Sequence, residues 1–416
     1  MTNRTYFKLK SLSLVLVLLL PLSVTAGFAA DNNSAVNLPI GPNNGRTQAP
    51  LIIPPAPAID AKAYILIDAN SAKVLGANNP DLRLPPASLT KLMTLYLAFT
   101  TLANGQIHLD DKVPVSKKAW QTSGSRMFIK PGDEVTVRDL LQGIIVDSGN
   151  DACVAMAEFI GGSEDSFTNL MNQQAVRLGM NNTHFTDSNG LPHPDHYSSA
   201  RDMAILARAI VTQFPEYYKG FSQKEFTYAG ITQLNRNRLL WRYPNTDGLK
   251  TGHTDEAGYC LVSSAKQGDT RFIAAVFGAP SDNARAEDSQ NLLTYAARFY
   301  ETKKLYNANQ SLGQVRVWKG NEKEVKVGVI SDLYLTIPAG RFDKITTQTL
   351  LPSKVKAPIQ KGQPLGKLTI LIDNQVIAEH PLVALNADPV GGLWTRTIDS
   401  ISQTVHGWWN KKEQKL

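Results

Sequence analysis

The sequence predicts an α/β domain followed by a small all-β domain. The chain has 416 residues, of which 43% are hydrophobic and 19% charged, and this length and composition suit two globular domains. Between residues 60 and 303, strand patterns lie at both ends and helical patterns lie between them, which indicates an α/β domain. Over residues 304–390, short alternating segments are separated by Gly and Pro, which predicts a β-sandwich-like domain.

The residues before the first domain are predicted to contribute nothing to its core. Basic residues precede an apolar run at positions 12–20, and small residues follow it. This order is typical of a cleaved secretory signal peptide over residues 1–30. An uncleaved anchor helix is the alternative, although the apolar run is short for a membrane span. Residues 31–59 are rich in Asn, Pro and Gly and are predicted to form an irregular leader.

The α/β domain is predicted to begin with a β-hairpin, formed by residues 63–68 and the segment after Val74. A Leu-rich run follows from Ser88 to Gly105 and predicts a central, buried helix that ends at the glycine. The remaining predictions are helices within 135–179 (broken near 148–150 and 161–162), at 201–211 and at 292–300, strands at 258–265 and 271–277, and a surface loop with three histidines at 181–199.

The final part of the chain changes its pattern twice. The all-β domain is predicted to contain strands near 315–318, 325–327, 333–336 and 368–372. In residues 391–416, apolar positions recur at helical spacing and begin at Trp394, while Lys residues finish the chain. This pattern predicts an amphipathic helix that lies on a membrane surface and is too polar to span it. A helix docked on its own domain is the alternative.

Charge and cysteine content narrow the function classes. The net charge is +7, with Lys and Arg spread along the chain rather than clustered, which argues against nucleic acid as a partner. A basic exported protein near anionic lipid or cell wall fits this balance better. Cys153 and Cys260 are the two cysteines, and they could pair in an oxidising compartment or remain free in the core. The sequence leaves both outcomes open.

One Ser-x-x-Lys motif stands where a nucleophile needs it. At the start of a helix, residues three apart lie on the same face, so a serine hydroxyl and a lysine amine can share a hydrogen bond. The helix N-terminus also favours the negative charge that develops when serine attacks. Only Ser88 opens a predicted helix, with Lys91 one turn later. The other two matches, Ser263/Lys266 and Ser353/Lys356, fall in a predicted strand and in the all-β domain.

Two further motifs follow in an order that suits one site. Ser148-Gly149-Asn150 offers a second hydroxyl and an amide, which could pass a proton and hold a substrate backbone. Lys250-Thr251-Gly252 leads into a predicted strand, where glycine permits close approach of a ligand and lysine adds a positive charge. A plain turn is the alternative for this last motif. Ser281-Asp282-Asn283 is rejected as the second motif because it follows the third.

Together these motifs resemble the signature of penicillin-recognising serine enzymes. Longer strings that begin with Pro86-Ala87-Ser88, Ser148-Gly149-Asn150 and Lys250-Thr251-Gly252 resemble the low-molecular-mass D-alanyl-D-alanine carboxypeptidases of the penicillin-binding protein 5/6 group. The resemblance covers nearly the whole mature chain. It implies a catalytic domain like those of DD-peptidases and β-lactamases, whose antiparallel sheet is flanked by helices, followed by the all-β domain and the amphipathic tail.

The resemblance also implies a role for each site residue. Ser88 would form the acyl-enzyme, Lys91 would accept its proton, and Ser148 would pass a proton to the leaving D-alanine. The backbone N–H groups of Ser88 and His253 would form the oxyanion hole. The remaining substrate-binding residues implied are Asn150, Lys250, Thr251, Gly252 and Arg285, the last of which would meet the terminal carboxylate. A solvated charge at a helix start is the alternative for Arg285.

The implied partners are a peptidoglycan stem peptide ending in D-Ala-D-Ala, β-lactam antibiotics and a membrane surface, with no cofactor. The implied location is the periplasmic face of the bacterial inner membrane. A β-lactamase, a DD-endopeptidase and a catalytically idle wall scaffold remain as rivals. The glutamates between the second and third motifs, Glu158, Glu164, Glu216 and Glu225, lack the downstream Leu-Asn expected of the common β-lactamases.

A metal site is not expected. His193 and His196 flank Asp195, which brings three potential ligands together in the sequence. No helical zinc motif accompanies them, and loop histidines of this kind are more often surface residues. Both histidines are therefore interpreted as surface side chains of the 181–199 loop.

Overall fold

The computed structural model describes residues 36–39, 53–394, 396, 397 and 399. The predicted signal peptide, most of the predicted leader and most of the predicted terminal helix lie outside the described residues. Within these limits the chain forms an α/β domain and an all-β domain, and the predicted fold class is confirmed. In this part of the chain no helix is long and apolar enough to cross a membrane.

The predicted helices of the α/β domain are present, and the structure adds three short helices that the sequence did not predict, at Lys117–Gln121, Pro215–Tyr218 and Leu239–Arg242. A 3₁₀ turn at Ala87–Thr90 leads into the first α-helix, and a π-helical turn at Gly143–Asp147 follows the third. Gly105, with φ of 70°, ends the Leu-rich helix as expected. In chain order the helices are α1 Lys91–Ala103, α2 Lys117–Gln121, α3 Val137–Gln142, α4 Asn150–Gly161, α5 Glu164–Leu178, α6 Ala200–Gln213, α7 Pro215–Tyr218, α8 Leu239–Arg242 and α9 Asp282–Phe299.

Strands occur in both domains, and every strand predicted above is present. They are β1 Val36–Pro39, β2 Ala63–Asp68, β3 Val74–Asn78, β4 Lys112–Pro114, β5 Glu134–Thr136, β6 Glu225–Tyr228, β7 Ile231–Leu234, β8 Thr246–Thr254, β9 Gly258–Gln267, β10 Thr270–Ala279, β11 Tyr300–Tyr306, β12 Ser311–Trp318, β13 Glu324–Gly328, β14 Leu333–Pro338, β15 Ile345–Leu350, β16 Lys354–Lys356, β17 Pro364–Ile372 and β18 Gln375–Ala384.

The centre of the α/β domain is an antiparallel sheet in the order β3-β2-β10-β9-β8. Its two faces are both covered. Ile65 and Ile67 of β2 belong to the core that contains α1, whereas Tyr64 and Leu66 belong to the core that contains α9. Because both faces are buried, β2 reads as a continuous apolar run instead of an alternating one. The strand β8 lies at one edge of this sheet and is free to border a cleft.

The closing helix of this domain is longer than predicted. It was expected over residues 292–300, but α9 begins at Asp282. The Ser281 hydroxyl caps it by accepting a hydrogen bond from the N–H of Ala284 at 3.0 Å. The first turns of α9 carry several polar and charged side chains, so the apolar signal starts only at Leu292. Ser281-Asp282-Asn283, which the sequence order had rejected as a catalytic motif, is therefore a helix cap and first turn.

The all-β domain is built mainly from one sheet in the order β1-β15-β17-β18-β13-β12-β16. Its core consists of aliphatic side chains such as Val327, Leu368 and Leu382. The strand β1 corrects one prediction, because it forms inside the segment expected to be an irregular leader. It pairs antiparallel with β15 and so covers an edge that would otherwise be unpaired. Four residues are too few for alternation to reveal such a strand.

The two domains meet through buried polar groups. The Thr302 hydroxyl on β11 donates to the Asp68 carboxylate on β2 at 2.7 Å and shares a hydrogen bond with Thr336 on β14 at 2.7 Å. The Lys73 amine also reaches the Thr336 carbonyl at 3.0 Å. Beyond the all-β domain, the described residues from 393 to 399 are helical, as predicted for the start of the tail.

Candidate active site

The predicted nucleophile lies in a strained turn beneath the edge of the sheet. Ser88 belongs to the 3₁₀ turn Ala87–Thr90, and Ala87 has φ of 48°, a conformation that non-glycine residues rarely adopt. The prediction that Ser88 lies in the first turn of the α-helix is therefore wrong in detail. The side chains of Ser88 and Lys91 still lie on the same face, because residues three apart eclipse each other in a 3₁₀ turn. The Lys91 amine lies 2.9 Å from the Ser88 hydroxyl oxygen.

The Lys91 amine is completely buried and surrounded by acceptors. Besides Ser88, it contacts the Asn150 side-chain oxygen and the Asn189 carbonyl, each at 2.6 Å. Burial lowers the pKa of Lys91, because the ionised amine has lost its water. A neutral amine has two N–H groups and one lone pair. If the two shorter contacts take the N–H groups, the lone pair points at the Ser88 hydroxyl, which is the arrangement a general base needs.

The second motif lies at a break between helices. The π-helical turn Gly143–Asp147 ends at Ser148, whose backbone is left-handed with φ of 60°. This conformation directs the chain from the π turn into α4, and π turns are frequent at functional sites. Asn150, the first residue of α4, accepts from Lys91 and donates through its amide nitrogen to the Ser123 carbonyl at 2.6 Å. Asn150 therefore connects the base to the loop on the other side of the cleft.

The third motif supplies a second buried amine. Lys250 lies on the edge strand β8, is 2% exposed, and contacts the Ser148 hydroxyl oxygen at 2.9 Å. Burial, reinforced by the charge of Lys91, lowers the pKa of Lys250 well below its ordinary value. Burial thus opposes the fixed positive charge expected of this residue from the sequence. The prediction that this motif leads into a strand needs one adjustment, because the motif lies within the strand itself.

Glycine at the end of this motif is required by close packing. A Cβ atom on Gly252 would lie 2.8 Å from the Pro86 carbonyl oxygen, so a side chain would push β8 away from the nucleophile turn. The next residue, His253, is exposed, and its ring packs on Tyr259 with centroids 4.1 Å apart. Thr251 is buried beside Lys250. The edge of β8 and the Ser88 turn therefore form two sides of one cleft.

Arg285 lies behind this edge strand. Its side chain is 7% exposed and donates to the carbonyl oxygens of Gly252 at 2.9 Å and Cys260 at 3.2 Å. It also forms an ion pair with Asp282 in the first turn of α9. The alternative of a solvated charge is therefore wrong. A direct contact of Arg285 with a substrate carboxylate stays a prediction.

A carboxylate beneath the cleft holds the opposite wall in place. Asp151 accepts hydrogen bonds from the backbone N–H groups of Met127, Phe128 and Ile129 at 2.9 to 3.3 Å. These bonds attach the loop before β5 to the start of α4. Because Asp151 directly follows Asn150, the loop and the base are positioned by adjacent residues. No pattern in the sequence pointed to this carboxylate.

Arg236 is a further residue that the sequence did not single out. It is exposed, and its charge lowers the pKa of both Lys91 and Lys250. Within the described residues it has no hydrogen-bond or ion-pair partner. Its buried neighbours Asn235 and Asn237 fix the backbone around it, since the Asn235 side chain accepts from the Asn237 N–H at 2.9 Å. The string Asn-Arg-Asn was the signal available, and alone it is weak.

The histidine-containing loop differs from its prediction. It was interpreted as a surface loop, yet His196 is 3% exposed and Asn189 is 2% exposed. His193 is exposed as expected, and in the described part of the chain no group of three or more metal-ligating side chains is close enough to hold an ion. The Ser188–Asn189 part of the loop is buried because its backbone carbonyls accept hydrogen bonds from side chains of α1, a contact between distant parts of the chain. Turn-forming residues indicate irregular backbone but do not reveal such burial.

Local contacts bear on two further sequence alternatives, the pairing of the cysteines and the glutamate of a β-lactamase. Cys153 and Cys260 are both free and buried, so they are not paired. Glu164 bonds to Lys118 at 2.8 Å and to the Ser188 hydroxyl at 2.7 Å. Among the described residues, none of the four glutamates considered for a β-lactamase has a hydrogen bond to Ser88 or Lys91.

Comparison with known proteins agrees with this geometry. Residues 51–281 match the D-alanyl-D-alanine carboxypeptidase family, and residues 300–389 match the C-terminal domain of penicillin-binding protein 5. The D-alanyl-D-alanine carboxypeptidase DacA of Escherichia coli is 44% identical over 86% of this chain and 91% of its own length. DacF of Bacillus subtilis is 42% identical over 84% of this chain and 90% of its own length.

Solved structures extend the likeness to three dimensions. Penicillin-binding protein 5 from Haemophilus influenzae is 42% identical, covers 80% of this chain and 98% of its own, and superposes with a TM-score of 0.76. Penicillin-binding protein D2 from Listeria monocytogenes, in its ampicillin-bound form, is 29% identical with a TM-score of 0.54 and covers 59% of this chain and 100% of its own. The chain therefore belongs to the D-alanyl-D-alanine carboxypeptidase family of penicillin-recognising serine peptidases.

Proposed function

We propose that this protein removes the terminal D-alanine from peptidoglycan stem peptides that end in D-Ala-D-Ala, through an acyl-enzyme on Ser88. The observation that carries the proposal is the buried Lys91 amine, which lies 2.9 Å from the Ser88 oxygen and 2.6 Å from each of two further acceptors. An ordinary lysine near pKa 10.4 is almost wholly charged at neutral pH and cannot act as a base. Burial acts against that obstacle here, because it lowers the pKa of Lys91.

Acylation uses the two amines and the two hydroxyls in turn. Lys91 accepts the Ser88 proton while the serine oxygen attacks the carbonyl carbon of the penultimate D-alanine. The backbone N–H groups of Ser88 and His253 would stabilise the oxygen that becomes negatively charged. Ser148, whose hydroxyl contacts the Lys250 amine at 2.9 Å, would then deliver a proton to the amine of the terminal D-alanine as the peptide bond breaks. Ser148 would in turn recover the proton that Lys91 accepted from Ser88, so both residues return to their starting states. D-alanine leaves, and the rest of the peptide stays on Ser88 as an ester.

Deacylation is the second half of the reaction. A water molecule attacks the ester carbonyl, its proton passes to a neutral amine of the site, and the Ser88 oxygen recovers a proton as it leaves. The products are a free carboxylate on the shortened peptide and the original enzyme. The edge of β8 can hold the extended peptide throughout, because an edge strand offers unpaired backbone groups.

β-Lactams would acylate Ser88 by the same reaction, which would then stop at the acyl-enzyme. The serine oxygen would attack the lactam carbonyl and open the ring, which leaves the departing amine attached to the acyl group. The ampicillin-bound form of the Listeria relative is consistent with such binding in that protein. We expect the present protein to be acylated by penicillins at Ser88.

A labelled penicillin tests the nucleophile directly. Ser88→Ala should abolish covalent labelling, because it removes the hydroxyl that the Lys91 amine would activate, while the melting temperature stays close to that of the wild type. Ser263→Ala, which alters a second Ser-x-x-Lys match on β9, is the matched control and should retain labelling. Labelling of Ser88→Ala would move the nucleophile elsewhere, and an unlabelled wild type would support an idle scaffold.

The substrate class requires a separate measurement. Mass spectrometry of a pentapeptide muropeptide after incubation should show the loss of one alanine. Cleavage of a cross-linked dimer at a comparable rate would instead identify a DD-endopeptidase, which could use the same groups.

We propose further that the protein is exported and binds the periplasmic face of the inner membrane through its tail. The support is the charge and hydrophobicity pattern of the two chain ends. One contact favours the alternative, in which the tail helix docks on its own domain: the Asp399 carboxylate accepts the Lys319 N–H of the all-β domain at 2.5 Å. Deletion of residues 393–416 should leave the protein in the soluble fraction after cell breakage. Continued sedimentation of this variant with membranes would contradict the anchor.

A further inference from the structure

The loop that follows α5 is attached to α1 beside the catalytic lysine. The Ser188 carbonyl accepts the Thr94 hydroxyl at 2.5 Å, and the Asn189 carbonyl accepts the Lys91 amine at 2.6 Å. All four residues are buried. One of the three groups that surround the Lys91 amine is therefore a backbone carbonyl of a long irregular loop, whose position depends on what holds that loop.

Within this loop, the carbonyl is fixed by a tight turn. The Asp187 side chain accepts the N–H groups of Asn189 at 2.9 Å and Gly190 at 2.6 Å. Gly190 has φ of 90°, and a Cβ atom there would lie 1.9 Å from the Ala87 carbonyl oxygen. The turn thus packs directly against the backbone that carries Ser88, with no room for movement toward it.

His196 joins the same loop to the nucleophile turn. Its Nε2 atom lies 2.8 Å from the Thr90 hydroxyl oxygen, and its Nδ1 atom lies 3.2 Å from the backbone nitrogen of Thr186 and 3.0 Å from the Thr186 hydroxyl. Thr90 precedes Lys91, and Thr186 begins the turn described above. The imidazole is therefore a bridge between the two segments that position the base.

The hydrogen bonds assign the state of this ring. A backbone N–H can only donate, so Nδ1 must be the unprotonated nitrogen, and Nε2 carries the hydrogen that it donates to Thr90. Burial lowers the pKa of His196, which favours this neutral form, although the Asp187 carboxylate 3.7 Å away opposes the shift. The other charged or titratable groups near the ring are His184 and His193 in the same loop and Lys91 on α1.

We infer that His196 is a positioning residue for the acylation reaction: by bridging Thr90 and Thr186 it keeps the Asn189 carbonyl on Lys91, so that the lysine lone pair faces Ser88. The residue does not touch substrate. Its loss would leave Lys91 free to turn away from Ser88, because one of its two other acceptors would move. The inference rests on the proposed function, in which Lys91 is the base that activates Ser88.

Acylation kinetics with a labelled penicillin test this role in the full-length protein. The concentration dependence separates the maximal acylation rate from the half-saturating concentration. His196→Ala should lower the maximal rate by about tenfold to a hundredfold, the range expected when a catalytic group is misplaced by about an ångström. The half-saturating concentration should change little, since the binding surface on β8 is untouched. His196→Gln, whose amide can donate to Thr90 and whose oxygen can accept from Thr186, should recover most of the rate.

Two further variants complete the test. His193→Ala removes an exposed histidine of the same loop and should acylate like the wild type. If His196→Ala does not fold, Thr90→Val removes only the hydroxyl that accepts from the ring and should slow acylation similarly. A folded His196→Ala protein with a wild-type maximal rate, or a defect only in half-saturation, or no recovery in His196→Gln, would overturn the inference. A wild-type protein that is not acylated at all would refute the proposed function instead.

Discussion

The cleft around Ser88 and the core of the all-β domain differ in the side chains that they bury. The all-β core is mainly aliphatic, and the lysines and arginines of this domain are on the surface or partly exposed within the described residues. The cleft buries three cationic side chains, Lys91, Lys250 and Arg285, together with several carboxyl groups. Burying charge costs stability unless each group is bonded, and it shifts the pKa of those groups. The cleft therefore gives up stability for reactivity, whereas the described residues of the all-β domain bury no lysine or arginine.

Removal of the catalytic amine should give the largest effect. Lys91→Met keeps the length of the side chain but removes the base, so acylation by penicillin should slow by about a thousandfold or more. Because the variant no longer buries an amine, its free energy of unfolding should be equal to or greater than that of the wild type. Lys326→Met, at an exposed position on β13, is the control and should change neither quantity. Rapid acylation of Lys91→Met would show that another group accepts the proton.

A cavity in the all-β domain should have the opposite result: the free energy of unfolding should fall while the acylation rate stays the same. Leu368 is completely buried in the all-β core, so Leu368→Ala should lower the free energy of unfolding of that domain by about 2 to 5 kcal/mol. Acylation at 25 °C should stay at the wild-type rate, because the cleft lies wholly in the α/β domain. Val376→Ala, at a position that is 57% exposed on β18, should have little effect on stability. A loss of acylation in folded Leu368→Ala would show that the two domains are coupled.

A buried carboxyl group beside the cleft, that of Asp147, should make the free energy of unfolding depend on pH. Burial, reinforced by the charge of Asp151, raises the pKa of Asp147 from 3.8 to about 7. A raised carboxyl pKa favours the folded protein at low pH, and this stability is lost as the pH rises through the window between the two values. Asp147→Asn stays neutral at every pH, so its free energy of unfolding should increasingly exceed that of the wild type as the pH rises through that window. The difference should persist above pH 7.

The expected advantage of Asp147→Asn at pH 8 is about 2 to 4 kcal/mol, with little difference near pH 4. Urea unfolding at both values measures it, and the lower pH serves as the internal control. An advantage of the same size at both pH values would mean that the carboxyl group does not titrate between them. Asp147 also has a buried oxygen without a hydrogen-bond partner among the described residues, which agrees with a strained environment for the ionised form.

The sequence alone determined the domain order, most of the elements and the three motifs whose side chains meet in the cleft. Local signals carried this information: continuous apolar runs for strands buried on both faces, alternation in the all-β domain, and a helix-ending glycine at Gly105. The order of the motifs removed Ser281 from consideration, and its role as the cap of α9 agrees. Serine and lysine three residues apart required only local geometry to meet, so their contact was predictable.

Only the tertiary structure decided which other groups surround the two amines. Asn189 and His196 lie about a hundred residues from Lys91 in the chain, and a turn-rich loop carries no signal that it will be buried against a helix. The strand at Val36–Pro39 likewise depends on a distant partner, the strand β15. Burial sets the charge state of an amine, and burial is a property of packing between distant segments. The sequence could therefore predict which residues react, but not the buried environment that surrounds them.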